Sequence, residues 1–159
     1  MKKYLVINGV NLNMLGIREP GIYGNSTLDD LENNIRKKAD ELGVEVDFFQ
    51  SNFEGEIVDK IQECIGTADG ILINPAAYSH TSIAIADAIA LVGIPVVEVH
   101  LSNILAREDF RKKSLTGAMC AGVIAGFGPF GYHIGLLSVM QIITEITQIK
   151  KQNEQNASK

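Results

Sequence analysis

Five short apolar runs recur along the chain, and each ends in polar or turn-forming residues. They lie at residues 5–7, 44–49, 71–73, 96–99 and 123–125. Several are continuously apolar rather than alternating, which is typical of strands that helices cover on both faces. The pattern therefore predicts five strands of a parallel sheet.

Between these runs, apolar residues recur at the three-and-four spacing of a helix with one buried face. The clearest helix is predicted from Thr27 to Leu42, where Thr27 and Asp30 suit a capping box and Gly43 suits the end. Further helices are predicted over about residues 54–65, 81–92, 107–112 and 134–150.

Alternating strands and helices in a chain of 159 residues predict one domain with right-handed crossovers. Five strands suit a flavodoxin-like order better than a barrel, which needs more chain. We predict an α/β fold, a flavodoxin-like five-stranded parallel sheet with helices on both faces, over residues 1–150. Residues 151–159 are predicted to form a polar, disordered tail.

Composition narrows the class of protein. Hydrophobic residues make up 46% of the chain and charged residues 21%, which favours a globular core over disorder. The net charge of −5 makes a nucleic-acid partner a poor hypothesis. Cys64 and Cys120 form no disulfide or metal-ligand pattern, and no export or membrane signal is evident, so we expect a cytoplasmic protein.

Polar side chains cluster where the first, third and fourth predicted strands end. Because ligands bind beyond the carboxyl ends of parallel strands, these positions are candidate site positions. Two of the three histidines, His80 and His100, are among them. The candidates at this edge are Asn11, Asn13, Asn74, Tyr78, Ser79, His80, Glu98, His100, Ser102, Asn103, Arg107 and Arg111.

Each of these side chains also has a structural explanation. A single histidine after a strand is more often hydrogen-bonded scaffold than catalyst, and asparagine commonly ties turn backbones. Arg107 and Arg111 lie one helical turn apart, where a pairing with Glu108 is the simple alternative. The co-location of two histidines, two arginines and a tyrosine at a ligand-binding edge favours a functional site.

The loop over residues 16–24 contains three glycines and one proline together with Arg18 and Tyr23. This composition predicts a lid that brings charge and a proton acceptor over a substrate. A phenol has a pKa near 10. Lowering that pKa by about three units takes roughly 4 kcal/mol of preferential stabilisation of the phenolate. A partly desolvated guanidinium in contact could supply much of that, so we predict Tyr23 as a tyrosinate base beside Arg18.

Such a base removes a proton next to a carbonyl and creates an enolate, which needs a donor such as Asn11 or an ordered water. Loss of a hydroxyl then needs a general acid, for which an imidazole is suited. Arg111 and backbone donors near Leu101 and Ser102 could hold a carboxylate. The sequence thus indicates a lyase without metal or cofactor that acts on a small polar anion.

Residues 126–131 match the dinucleotide-binding pattern G-x-G-x-x-G after a strand. No further strand follows to supply the acidic residue that such a fold requires, so we interpret the segment as a turn. His133 is interpreted as a polar residue at the start of the last helix. The chain has no phosphate-loop motif, no paired histidine spacing for zinc and no G-x-S-x-G motif.

Three blocks stand in order along the chain: NGVNLNMLGIREP with Tyr23-Gly24, NPAAYSHTS with Asp87, and EVHLSN with Arg107 and Arg111. With these blocks at this spacing, residues 5–137 closely resemble the type II 3-dehydroquinate dehydratases. The resemblance implies a flavodoxin-like subunit that performs an anti elimination of water from 3-dehydroquinate, through an enolate, to give 3-dehydroshikimate. This is a step of the shikimate pathway towards aromatic amino acids.

The resemblance also implies a role for each site residue. Tyr23 would be the base, Arg18 its electrostatic partner, and His100 the proton donor to the departing hydroxyl. Asn11 would hold the water that stabilises the enolate, and Glu98 would orient His100, with Arg107 in a supporting position. The substrate would be bound by Asn74, His80, Leu101, Ser102 and Arg111. Family members form dodecamers built from trimers, in which Asp87 would reach a neighbouring subunit's site.

Four positions depart from the family pattern without removing a residue of the implied mechanism. Val10 stands at a usual proline, Ala76 at a usual glycine, Ala86 at a frequent arginine and Leu105 at a frequent histidine. The main alternative is a non-catalytic flavodoxin-like ligand-binding or signalling module. A receiver-type module needs clustered acidic residues at the first strand end and a lysine at the last, and here asparagines and glycines stand there.

Overall fold

The computed structural model describes residues 1–17, 21 and 25–157, and at its centre lies a five-stranded parallel sheet. The strands are β1 (Lys3–Asn8), β2 (Glu45–Gln50), β3 (Gly70–Asn74), β4 (Val96–His100) and β5 (Gly122–Ala125). Their order across the sheet is β2-β1-β3-β4-β5, the flavodoxin-like order. The predicted fold class and all five predicted strands are confirmed.

Within the described residues, four α-helices connect and cover the strands. They are α1 (Leu28–Leu42), α2 (Glu54–Gln62), α3 (Ile83–Val92) and α4 (Phe130–Ala157). The predicted capping box is present, because the Thr27 hydroxyl accepts from the Asp30 backbone and the Asp30 carboxylate accepts from the Thr27 backbone. No helix within the described ranges is long and apolar enough to cross a membrane.

The two faces of the sheet bury separate apolar layers. On one face Tyr4 and Val6 of β1 pack with α1 and α4. On the other face Leu5 and Ile7 of the same strand pack with α2 and α3. Because side chains alternate across a strand, the continuously apolar runs fill both layers at once, as the sequence pattern predicts.

Strand register aligns the polar strand ends. Asn8 of β1 lies opposite Asn74 of β3, and Ile73 lies opposite Glu98 of β4. His100 is the last residue of β4 and lies opposite Ala125. The polar residues that close β1, β3 and β4 therefore meet at one edge of the sheet.

The prediction of a helix over residues 107–112 is wrong. The segment holds two short 3₁₀ turns instead, Ile104–Ala106 and Asp109–Arg111. Arg107 between them has an extended backbone (φ −93°, ψ −173°), which interrupts any continuous helix.

Other helix ends differ by a few residues from the predicted ones. α2 ends at Gln62 rather than residue 65, and α3 begins at Ile83 because the Ser82 hydroxyl caps it by accepting from the Ile85 backbone at 2.9 Å. α4 begins at Phe130, directly after Pro129, a residue type favoured at helix starts. The helix continues to Ala157, so residues 151–157 are helical and exposed.

Candidate active site

A cavity of about 610 Å³, counted to its open mouth, lies beyond the carboxyl ends of β1, β3 and β4. This volume is in the range of small-molecule sites. Apolar side chains such as Leu12, Leu15 and Ile104 line part of it. The predicted site residues that line it are Asn11, Asn74, His80, His100, Leu101, Ser102, Arg107 and Arg111.

The two histidines predicted to share this site lie side by side. Their ring centroids are 6.4 Å apart and the ring planes differ by 17°. His80 has its Nδ1 2.7 Å from the backbone carbonyl oxygen of Lys113. A carbonyl only accepts, so this nitrogen of His80 carries a proton and Nε2 is the nitrogen left for a ligand.

His100 is held by a buried carboxylate. Its Nε2 lies 2.6 Å from Oε1 of Glu98, and Glu98 is completely buried. An ionised carboxylate only accepts, so Nε2 of His100 carries a proton and Nδ1 is the nitrogen left to exchange a proton with a ligand. The pair has the arrangement of an imidazole oriented by a carboxylate, which suits general acid catalysis.

Two hydroxyls complete the surroundings of Glu98. Ser114 Oγ donates to Oε1 at 2.6 Å, and Thr116 Oγ1 donates to Oε2. The sequence analysis did not select either residue, because each lies more than 15 positions from Glu98 and neither belongs to a recognisable motif.

Asn74 is fixed by a second buried network. Its Nδ2 donates to the Tyr132 hydroxyl at 3.0 Å, and that hydroxyl donates to Oδ1 of Asn8 at 2.7 Å. Oδ1 of Asn74 accepts from the backbone of Ala76 at 3.1 Å. Burial raises the pKa of Tyr132 far above its ordinary value, so this phenol is a neutral hydrogen-bonding group.

The interpretation of residues 126–131 as a turn agrees with the structure. Gly126 and Gly128 have positive φ angles of 94° and 57° and lead into α4. The turn places Tyr132 where its hydroxyl accepts a hydrogen bond from Asn74. Sequence reasoning missed Tyr132, although its position directly after the glycine pattern was the available signal.

The loops after β1 and β3 touch through their backbones. A Cβ added at Gly9 would lie 2.4 Å from the carbonyl oxygen of Pro75, so only glycine fits there. Asn11 and Ala76, both on the cavity wall, have left-handed backbones with φ of 66° and 54°. For alanine that conformation is strained.

Both arginines reach the cavity and also pair with Glu108. Arg111 Nε lies 3.2 Å and Arg107 Nε 3.5 Å from the Glu108 carboxylate. Arg107 also donates to the Ser102 hydroxyl at 3.4 Å. A backbone hydrogen bond and the two guanidiniums lower the pKa of Glu108. The pairing with Glu108, which the sequence analysis gave as the alternative to a functional role, is therefore present, and the two arginines also line the cavity.

Six of the predicted site residues and candidates that the structure describes do not line this cavity: Asn13, Tyr78, Ser79, Asp87, Glu98 and Asn103. Arg18 and Tyr23 of the predicted lid lie outside the described residues. Asp87 is exposed on α3. Within residues 1–17, 21 and 25–157, no group of three histidine, cysteine, aspartate or glutamate side chains could hold a metal ion.

The sequence matches the family model described as dehydroquinase class II over residues 2–140. A 3-dehydroquinate dehydratase of Helicobacter hepaticus is 64% identical over 157 residues, which span 98% of this chain and 99% of that protein. A protein of the same name from Aliarcobacter butzleri is 59% identical over 162 residues and covers 97% and 99% of the two chains.

The solved structures that this chain resembles include type II dehydroquinases. The type II dehydroquinase from Butyrivibrio crossotus superposes with a TM-score of 0.85 at 49% identity, over 87% of this chain and 97% of that one. The enzyme of the same type from Propionibacterium acnes gives a TM-score of 0.84 at 43% identity, over 91% and 97%.

Proposed function

This chain belongs to the class II dehydroquinase family, and from that premise we propose that it removes water from 3-dehydroquinate to give 3-dehydroshikimate. It is a hydro-lyase of the shikimate pathway. The observation that carries the proposal is the cavity beyond β1, β3 and β4, where two arginines and His100, which Glu98 orients from behind, face one space. Base, acid and anion-binding groups are the requirements of an elimination from a small polar anion.

The cationic side of the cavity supports binding of the substrate carboxylate. Arg111 lines the cavity beside Leu101 and Ser102, which follow β4 directly. A guanidinium and nearby backbone amides are suited to a carboxylate. Asn74 and His80, held by Tyr132 and by the Lys113 carbonyl, are positioned to bind substrate hydroxyls.

The reaction begins with proton removal next to the substrate's ketone. Tyr23 as the tyrosinate takes the proton, and the electrons of the broken C–H bond move into an enolate whose negative charge rests on the former carbonyl oxygen. Arg18 stabilises the phenolate, as the resemblance and the chemistry of the pair imply. Asn11, on the cavity wall, holds the water that donates to the enolate oxygen.

The enolate then expels the hydroxyl from the neighbouring carbon, on the opposite face of the ring. His100 gives the proton that converts the departing hydroxyl to water. Because Nε2 of His100 is bonded to Glu98, Nδ1 is the nitrogen that delivers this proton. The chemistry needs no metal or cofactor, since every charge that develops is met by a side chain or water.

We also propose the family's assembly, a homododecamer built from trimers, acting in the cytoplasm. The outer face of α3 supports a protein contact, because Ile83 and Leu91 are 68% and 66% exposed and Asp87 lies between them. Large exposed apolar side chains on one face commonly mark an interface. In this assembly Asp87 reaches the site of a neighbouring subunit.

The test is to mix the purified full-length chain with 3-dehydroquinate and follow ultraviolet absorbance. The product 3-dehydroshikimate contains a conjugated enone that the substrate lacks, so absorbance should rise with time. Binding of 3-dehydroquinate by calorimetry without any rise would reject the lyase and favour the non-catalytic binding module.

A further inference from the structure

Residues 113–117 form a strap that contacts His80 and Glu98. The Lys113 carbonyl accepts from His80 at 2.7 Å, and the Leu115 backbone N–H donates to the Ser79 carbonyl at 2.7 Å. These two bonds tie the strap to the loop after β3. The strap is thus held in place independently of Glu98.

From this position the strap directs two hydroxyls at one buried carboxylate. Ser114 Oγ donates to Oε1 of Glu98 at 2.6 Å and accepts from the Gly117 backbone at 2.8 Å. Thr116, itself completely buried, donates to Oε2. With Nε2 of His100 on Oε1, the carboxylate accepts three hydrogen bonds on two oxygens.

Gly117 of the strap lies close to the Glu98 carboxylate, and its lack of a side chain leaves room for the contact between Ser114 and Glu98. A Cβ added at Gly117 would lie 2.9 Å from Ser114 Oγ and 3.1 Å from Oε1 of Glu98. A side chain at this position would therefore crowd the contact between Ser114 and Glu98.

A carboxylate removed from water keeps its charge only when donors replace the lost hydration. Glu98 has no exposed surface, and His100 is only 5% exposed. The hydroxyls of Ser114 and Thr116 and the imidazole of His100 are the donors that take the place of water around this carboxylate.

We propose that Ser114 and Thr116 are positioning residues for His100, acting through Glu98: their hydroxyls hold the Glu98 carboxylate in the orientation in which Oε1 accepts from Nε2 of His100, and this fixes the proton on Nε2. The inference rests on the proposed function for its kinetic consequence. Without the hydroxyls, the carboxylate is free to turn away from Nε2, and the ring is no longer held with its proton on that nitrogen. The imidazole then loses the negative partner that stabilises its charged, proton-donating form.

Thr116→Val is the sharpest variant, because it removes one hydroxyl and keeps the branched shape. We expect kcat to fall about 10- to 100-fold, the range typical of residues that orient a catalytic or ligating group, with KM changed less than about twofold. Thr116→Ser keeps a hydroxyl and should restore most of kcat. Thr147→Val on α4 is the matched control, since it removes a 2.8 Å hydroxyl bond to Ile143 far from the cavity.

The second readout is the protonation of the imidazole nitrogens in enzyme without substrate. In solid-state ¹⁵N spectra of histidine-labelled protein, Nε2 of His100 should give the signal of a protonated nitrogen. In Thr116→Val that signal should shift toward that of an unprotonated nitrogen, and in Thr147→Val it should not. Ser114→Ala, which removes the other donor, supplies the same comparison if Thr116→Val does not fold.

The outcomes separate the two proposals. Unchanged kcat together with an unchanged Nε2 signal in both Thr116→Val and Ser114→Ala would overturn the positioning role. A loss of kcat that Thr116→Ser does not restore, with the Nε2 signal unmoved, would overturn it as well. A shifted Nε2 signal in a chain whose wild type does not convert 3-dehydroquinate would support the positioning role and reject the proposed reaction.

Discussion

Nε2 of His100 and Oε1 of Glu98 lie 2.6 Å apart at the end of β4, where Glu98 is completely buried and His100 lines the cavity. Residues two apart on a strand point to the same face, so the pairing follows from the strand itself. The side chain at the mouth of the cavity and the charge that orients it thus come from one five-residue element. Loop movement cannot easily separate them.

Glu98→Gln should reduce kcat at least about 100-fold and change KM little, because the amide keeps the shape of the side chain but not its charge. The variant should also lose about 1–3 kcal/mol of unfolding free energy, since an amide N–H₂ would face hydroxyl and imidazole donors. Steady-state kinetics and urea unfolding measure the two effects. Glu63→Gln, on a surface glutamate that pairs with Lys60, is the control.

Tyr23→Phe should abolish turnover and leave substrate binding largely intact, because it removes the proton acceptor and only one oxygen atom. The absorbance assay measures turnover, and calorimetry with 3-dehydroquinate measures binding. Tyr4→Phe, at a tyrosine buried in the core, makes the same chemical change away from the cavity. Turnover near the wild-type rate in Tyr23→Phe would reject Tyr23 as the base.

Arg18→Ala should lower kcat strongly with a smaller change in KM. The guanidinium is proposed to stabilise the phenolate, and this stabilisation matters most in the transition state. The experiment compares kcat and KM with those of Arg36→Ala, which removes an arginine stacked on Phe48. A rise in KM alone would make Arg18 a simple binding residue.

Ala76→Gly should stabilise the fold by about 0.5–1 kcal/mol, because Ala76 has φ of 54° and glycine adopts that conformation without a Cβ clash. Chemical denaturation of the purified chain measures the change. Ala84→Gly, the same substitution inside α3, should instead destabilise by up to about 1 kcal/mol. Opposite signs of the change in unfolding free energy at the two sites are what the left-handed backbone of Ala76 predicts.

The free energy of unfolding should fall as pH rises above about 9, because two cysteine thiols are buried in the folded chain. Burial raises the pKa of Cys64 to about 11 and that of Cys120 to about 12, so the folded thiols keep protons that the unfolded chain releases. Between the pKa of each thiol in the unfolded chain and its pKa in the folded chain, the free energy of unfolding falls by up to about 1.4 kcal/mol per pH unit. Urea unfolding between pH 8 and 10.5 measures the slope, which Cys120→Ala should reduce; an unaltered slope would contradict burial as its cause.

Much of the site was predictable because strand ends in a parallel sheet converge whatever the details of packing. His80 and His100 were predicted to share one edge, and their rings are stacked there 6.4 Å apart. The helix over residues 107–112 was predicted wrongly, since side-chain spacing cannot reveal that Arg107 has an extended backbone. Its arginines nevertheless reach the cavity, because they lie in the segment that connects β4 to β5.

Spacings of two to four residues along the chain predicted the sheet, four of the five proposed helices and the edge that holds the site, because burial and helix capping depend on such short separations. Only the tertiary structure decided what surrounds Glu98 and Asn74. Thr116 lies 18 positions from Glu98, and Tyr132 lies 58 from Asn74. Hydrogen bonds across such separations depend on how whole elements pack, and no local pattern of residues encodes them.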